Sequence, residues 1–184
     1  MKALYILLGV VALVALFIVL IYNRLVKGKA TVSEAFSTMD VYFQKRYDLI
    51  PNLVATVKGY AKHEAETLAK VVELRNTAYK SASATDRVEG EKQLGLALSN
   101  LMAVAEQYPD LKANTQFTGL QTELSGIEEQ IAQSRKYYNG AAKQLNVMTE
   151  TFPTVIVAKM FGFKQVSYFE VEGTKQRENV KVEF

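Results

Sequence analysis

Residues 117–152 read FTGLQTELSGIEEQIAQSRKYYNGAAKQLNVMTETF. Within them Phe117, Leu120, Leu124, Ile127, Ile131, Ser134, Tyr138, Ala141, Leu145, Met148 and Phe152 recur at alternating steps of three and four. That period gathers them on one helical face in the pattern of a coiled-coil seam. A helix with such a face must bury it against other helices. The stretch therefore predicts one long helix in a helical bundle, with Asn114 or Thr115 as its N-cap.

The chain upstream repeats the pattern. Val32, Phe36, Met39 and Phe43 form one stripe, and Ile50, Leu53, Val57 and Tyr60 carry it onward. Pro51 interrupts it, because a proline removes one helical hydrogen bond and crowds the carbonyl four residues back, that of Tyr47. The segment is one kinked helix or two; two helices are favoured, the second capped by Asp48 and running to about Ser81. Ser81-Ala82-Ser83-Ala84-Thr85 is a small-residue linker, and Asp86 with Glu89 fits a capping-box start. Leu94, Leu98, Leu101, Ala105 and Tyr108 make the next stripe, closed by Pro109. No strand-like alternation of similar quality precedes Pro153. The expected fold is all-α: an N-terminal transmembrane helix, an antiparallel bundle of about four long helices, and a short C-terminal helical cap. The division is residues 1–29 for the anchor, 30–152 for the bundle, 153–172 for the apolar cap, and 173–184 for a loose tail. In that tail Val180, Val182 and Phe184 alternate like a short edge strand.

Ala3 to Tyr22 carries no charge. Twenty residues at about 1.5 Å each span about 30 Å, the thickness of the bilayer hydrocarbon. A cleaved signal peptide is the alternative, but the apolar run is long for one and no Ala-x-Ala site follows. Tyr5 and Tyr22 suit the two interfaces. Arg24, Lys27 and Lys29 outweigh Lys2, so the positive-inside rule puts the C-terminal domain in the cytoplasm; the bias is small and the reverse orientation stays open.

The 184 residues suit a single domain, 49% hydrophobic and 22% charged. The net charge of +3 belongs to the anchor: without Lys2, Arg24, Lys27 and Lys29, 18 basic residues face 19 acidic ones. A domain so balanced has no footprint for nucleic acid. No Cys excludes disulfides, thiolate metal sites and Cys nucleophiles, and a single His excludes any site needing two imidazoles. His63, in Lys62-His63-Glu64, lacks a base–nucleophile arrangement. Glu128 and Glu129 point about 100° apart on a helix and do not share a metal readily. No catalytic, cofactor or metal residue is assigned.

Two junctions are richer than a bundle needs. Arg46, Tyr47, Asp48, Pro51 and Asn52 put charge, ring, proline and amide together; Tyr108, Pro109, Asp110, Lys112 and Asn114 do so again. If both lie at one end of the bundle, Arg46 or Asp48 bonds to Asp110, Lys112 or Asn114, satisfying helix ends; this structural role is favoured over a ligand role. The apolar cluster Val155, Ile156, Met160, Phe161 and Phe163, followed by Tyr168 and Phe169, is either a cap packed on the bundle or a surface for partner or lipid.

These motifs, with Tyr22-Asn23-Arg24-Leu25-Val26, Thr56-Val57-Lys58-Gly59-Tyr60-Ala61, Ala105-Glu106, Phe117, Arg135, Tyr138-Asn139, Phe152-Pro153, Ala158-Lys159 and Phe161-Gly162-Phe163, resemble the LemA family of bacterial membrane-anchored helical proteins. The resemblance covers nearly the whole chain, except the linker at Ser81–Thr85 and the tail after Glu172. It implies an anchored four-helix bundle of bacterial origin and no established reaction. It also implies an envelope partner, such as a membrane peptidase. The functional expectation is a non-enzymatic scaffold or adaptor, self-assembling in one version. The alternatives are a lipid-binding or membrane-shaping protein acting through the C-terminal apolar segment, and a hydrolase centred on His63.

Overall fold

A computed structural model describes residues 1–81 and 84–169. Six helices follow in order: α1 (Lys2–Tyr60), α2 (Ala65–Lys80), α3 (Ala84–Ala105), α4 (Pro109–Lys112), α5 (Thr115–Glu150) and α6 (Thr154–Met160). No strand occurs among the described residues. The strand-like tail, Val180 to Phe184, lies outside them, and so does part of the small-residue linker.

α1 is a single helix of 59 residues that passes through Pro51. This corrects the expectation of two helices. The missing Pro51 N–H leaves the Tyr47 carbonyl without its helical donor. Arg75 on α2 supplies one, its Nε–H donating to Tyr47 O at 2.8 Å. Asp48 is therefore no cap; it lies mid-helix and accepts from Gln44 Nε2 at 2.8 Å. The actual break comes later, in the turn 61–64, two residues past Gly59, so the helix after Pro51 does not extend to Ser81.

α5 lies antiparallel along α1. From the anchor end outward the pairings are Gly28 with Met148, Phe36 with Tyr138, Arg46 with Glu128, and Tyr60 with Asn114, the α5 cap. α2 and α3 form a hairpin against this pair. There a Cβ on Gly90 would stand 3.1 Å from the Ala78 Cα, so the glycine lets the two backbones meet closely. The sequence stripes supply one continuous core: Met39, Phe43, Ile50, Leu53 and Val57 from α1, Val71 from α2, Leu94 and Leu101 from α3, and Phe117, Leu124, Ile131 and Leu145 from α5. Phe152 departs from its stripe. It follows the end of α5 and is 80% exposed.

α6 packs on α1 and α5 near the anchor end, burying Val157 and Ala158. It stops in a Schellman turn: Phe163 N–H donates to Ala158 O at 2.9 Å, with Gly162 at φ +72°. The chain then reverses and runs without helix from Phe163 to Phe169.

Candidate functional site

The middle of the bundle holds charge where an apolar core is expected. Arg46 on α1 and Glu91 on α3 are both fully buried. The Arg46 guanidinium donates to Glu91 Oε2 and, at 2.6 Å, to Glu128 Oε1 on α5. Tyr47 Oη donates to the other oxygen of Glu91. Consecutive residues of α1 thus grip one carboxyl group. Burial pushes that group up to about 7, against the lowering pull of Arg46 and Arg135. Arg135, also in the cluster, is lowered by burial and then by the nearby Arg46 charge. The Nε atoms of Arg46 and Arg135 have no hydrogen-bond partner among the described residues. Three helices are cross-linked here, and the chemistry is that of an interior clamp.

The C-terminal segment closes over this clamp. Asn146 donates from Nδ2 to Val166 O at 2.9 Å and accepts from Val166 N–H at 2.9 Å. Asn139 does the same with Phe169, at 2.8 and 2.9 Å. Tyr138 Oη donates to Ser167 O at 2.9 Å between them. Seven residues of helix rise about 10.5 Å and three residues of extended chain about 10 Å, so the two asparagines match the tail in register. Each amide imitates the donor–acceptor edge of a neighbouring strand. The tail ends its described course with the Phe169 ring buried beside Tyr138 (5.3 Å between centroids), Phe43 (6.1 Å) and the Arg135 guanidinium (5.7 Å).

The two junctions singled out in the sequence do not meet. Arg46 and Tyr47 serve the central clamp, and Pro51 lies exposed between Ile50 and Leu53 of the core. Asn52 lends its carbonyl to Thr56 Oγ1 at 2.8 Å. The second junction is at the far end, about 21 Å along α1 from Arg46. There Pro109 opens α4, and Asn114 caps α5 by accepting from Phe117 N–H at 3.0 Å while donating to Tyr60 Oη at 2.8 Å. Tyr108 Oη donates to Glu64 at 3.3 Å, and Lys112 pairs with Glu106 at 2.5 Å. The expected bonds from Arg46 or Asp48 to Asp110, Lys112 or Asn114 are replaced by these, because the motifs sit at different heights on α1. His63 is exposed in the far-end turn. A groove of about 740 Å³ opens nearby between α1 and α2, over Val54, Leu68 and Val72. Among the described residues no group of three or more His, Asp or Glu side chains is placed to hold a metal ion.

At the anchor end the expected apolar surface divides in two. Ile156, Met160 and Phe161 are exposed, Tyr168 is 40% exposed, and Val155 and Phe163 are half-buried, whereas Phe169 is buried in the clamp. Tyr22 contacts Phe161 at 4.7 Å and Phe163 at 5.9 Å, which fixes α6 beside the last residues of the apolar run. That run, within α1, is long and apolar enough to cross a membrane, and Ile21 and Leu25 at its end are buried.

Glu91, Arg75 and Asn146 escaped the sequence reading, since none lies in a motif with a recognisable spacing. Arg135 and Asn139 stood in a quoted motif without a role. The sequence profile of the LemA family matches residues 35–184. Protein LemA of Metamycoplasma hominis is 28% identical over 149 residues, covering 80% of this chain and 68% of that protein. Magnetosome protein MamQ 2 of Paramagnetospirillum magneticum is 28% identical over 189 aligned positions, covering 89% and 69%. Magnetosome protein MamQ of Magnetospirillum gryphiswaldense is 27% identical, covering 88% and 70%.

Proposed function

The chain belongs to the LemA family, and from that premise we propose that it is a non-enzymatic, membrane-anchored scaffold or adaptor of the bacterial cell envelope. The observation that carries this reading is the continuity of α1. The same 59-residue helix supplies the apolar run and one wall of the bundle core, so the bundle is held rigidly on its anchor. Confinement to a surface raises the effective concentration for self-association or partner binding. The names carried by the relatives are not enzyme names, which favours the same reading. The domain faces the cytoplasm in this proposal, following Arg24, Lys27 and Lys29.

Two measurements test it. Full-length protein in mild detergent is weighed by light scattering, and membranes are crosslinked before extraction. A discrete homo-oligomer, or a reproducible envelope partner such as a membrane peptidase, supports the scaffold. A monomer that crosslinks to nothing in membranes rejects it. Orientation is read from Ser125→Cys in this cysteine-free chain: labelling by an impermeant maleimide only after permeabilisation is the expected outcome.

A second reading is lipid binding through the C-terminal apolar segment. It is favoured by the exposed Ile156, Met160 and Phe161 lying beside Tyr22. The chain has no Trp, so Phe161→Trp gives a single Trp that can be excited selectively over the ten Tyr. Quenching of its emission by brominated lipid supports the reading; an unquenched, water-like emission ends it.

A further inference from the structure

A basic groove of about 690 Å³ lies between α1 and α5 at the anchor end. Arg24 and Lys27, one helical turn apart on α1, face Lys143 and Gln144 on α5 across it. Val147 and Met148 add apolar surface. Gly28 makes that surface possible, since a Cβ there would stand 2.6 Å from the Met148 methyl carbon. Gly140, on the other wall, also lacks a side chain to fill the space. No carboxylate lines the groove, and among the described residues none of the three cations forms a salt bridge. Three exposed cations thus line one open groove that has no carboxylate among its lining residues.

Height decides the occupant. At about 1.5 Å per residue, Arg24 and Lys27 stand about 3 and 8 Å beyond Tyr22 when α1 runs along the bilayer normal. The headgroup layer is about 5–8 Å deep on each side of the hydrocarbon. The lower half of the groove is therefore at phosphate depth, and Val147 with Met148 offers apolar contact beside it. We propose that this groove binds the headgroup of an anionic phospholipid, with Arg24 and Lys27 on the phosphate and Lys143 with Gln144 on its outer, polar end. The site is separate from the α6 surface. It rests on the reading that residues 3–22 span the bilayer.

The test uses full-length protein in neutral detergent, titrated with dioleoyl phosphatidylglycerol or dioleoyl phosphatidylcholine, with bound lipid counted by native mass spectrometry. Phosphatidylglycerol is expected to be retained at least fivefold over phosphatidylcholine. Arg24→Gln with Lys27→Gln is expected to weaken it more than tenfold, since each cation near a phosphate contributes about fivefold, and Lys143→Gln, farther out along α5, about twofold. Lys136→Gln, exposed on α5 and outside the groove, leaves retention unchanged. Equal retention of the two lipids, an unaffected Lys143→Gln, or binding of water-soluble glycerol phosphate as strong as that of the lipid would each overturn the proposal. Flotation with phosphatidylcholine vesicles tests the anchor separately. Flotation without lipid preference rejects the groove alone, and failure to float rejects both.

Discussion

Arg75 donates its Nε–H to the main-chain carbonyl of Tyr47 at 2.8 Å, and that carbonyl is the one Pro51 deprives of a helical partner. A side chain of α2 thus repairs a backbone defect in α1, and the repair doubles as a tie between the two helices.

Arg75→Met should cost about 1–3 kcal/mol, the usual penalty for stranding a partly buried hydrogen-bonding group. In a Pro51→Ala background, where the helix supplies its own donor, the same change should cost clearly less. Denaturant melts of the four proteins in one detergent measure the coupling. Equal costs in both backgrounds would show that Arg75 does not compensate for the proline.

Arg46→Met should cost about 1–3 kcal/mol at neutral pH: without its cation buried Glu91, already raised to about 7, takes up a proton, but its carboxyl loses the hydrogen-bond donor it had in the core. Replacing both members, as Arg46→Met with Glu91→Leu, should return most of that loss, since a well-packed apolar pair avoids desolvation altogether. A double variant as unstable as the single one would place the cost in packing and not in charge.

Glu91 also sets a pH dependence. Its carboxyl is raised from an ordinary 4.5 to about 7 in the fold, chiefly by burial. Below about 4.5 both folded and unfolded chains hold the proton, and Glu91 contributes no slope. Between about 4.5 and 7 the unfolded chain releases it first, so this contribution to stability falls as pH rises, then levels off. The stability difference between wild type and Glu91→Gln, followed across that window, should decline with pH. A constant difference would show no raised Glu91 carboxyl, and a growing one would reverse the sign argued here.

The asparagine pair should act locally. Asn146→Ala and Asn139→Ala each remove a donor and an acceptor, so the amides of Val166 and Phe169 lose their partners. Hydrogen exchange at Val166 should quicken about tenfold or more in the first variant and at Phe169 in the second, with core amides of α5 unchanged. Uniform change throughout α5 would mean that the asparagines hold the helix and not the tail.

Much of the fold was legible because bundle helices must bury one face. The stripes of α1, α3 and α5 name most of the core, and the cap was readable as Asn114 or Thr115 from their place before the seam, the structure choosing Asn114. Pro51 misled, because its local effect on a helix is clear in sequence whereas the remedy, Arg75, is 24 residues away on another helix. The clamp was hidden for the same reason. Arg46 was noticed, but Glu91 lies in an ordinary-looking charged stretch, and no spacing announces that α3 turns it inward. The tail's partners were equally silent, because Asn139 and Asn146 acquire meaning only when an extended segment lies along them.

The unbroken course of α1 makes the protein a lever as well as a post. From Tyr22 to Tyr60 it extends about 57 Å at 1.5 Å per residue. Anchors tilt to fit the thickness of their bilayer, by about 20° on average. With no hinge at the membrane surface, a 20° tilt displaces the far-end turn carrying His63 sideways by about 20 Å, by simple projection of that length. With residues 3–22 in the bilayer, as proposed, the thickness of the surrounding lipid thus bears on where the distal tip of the bundle can reach.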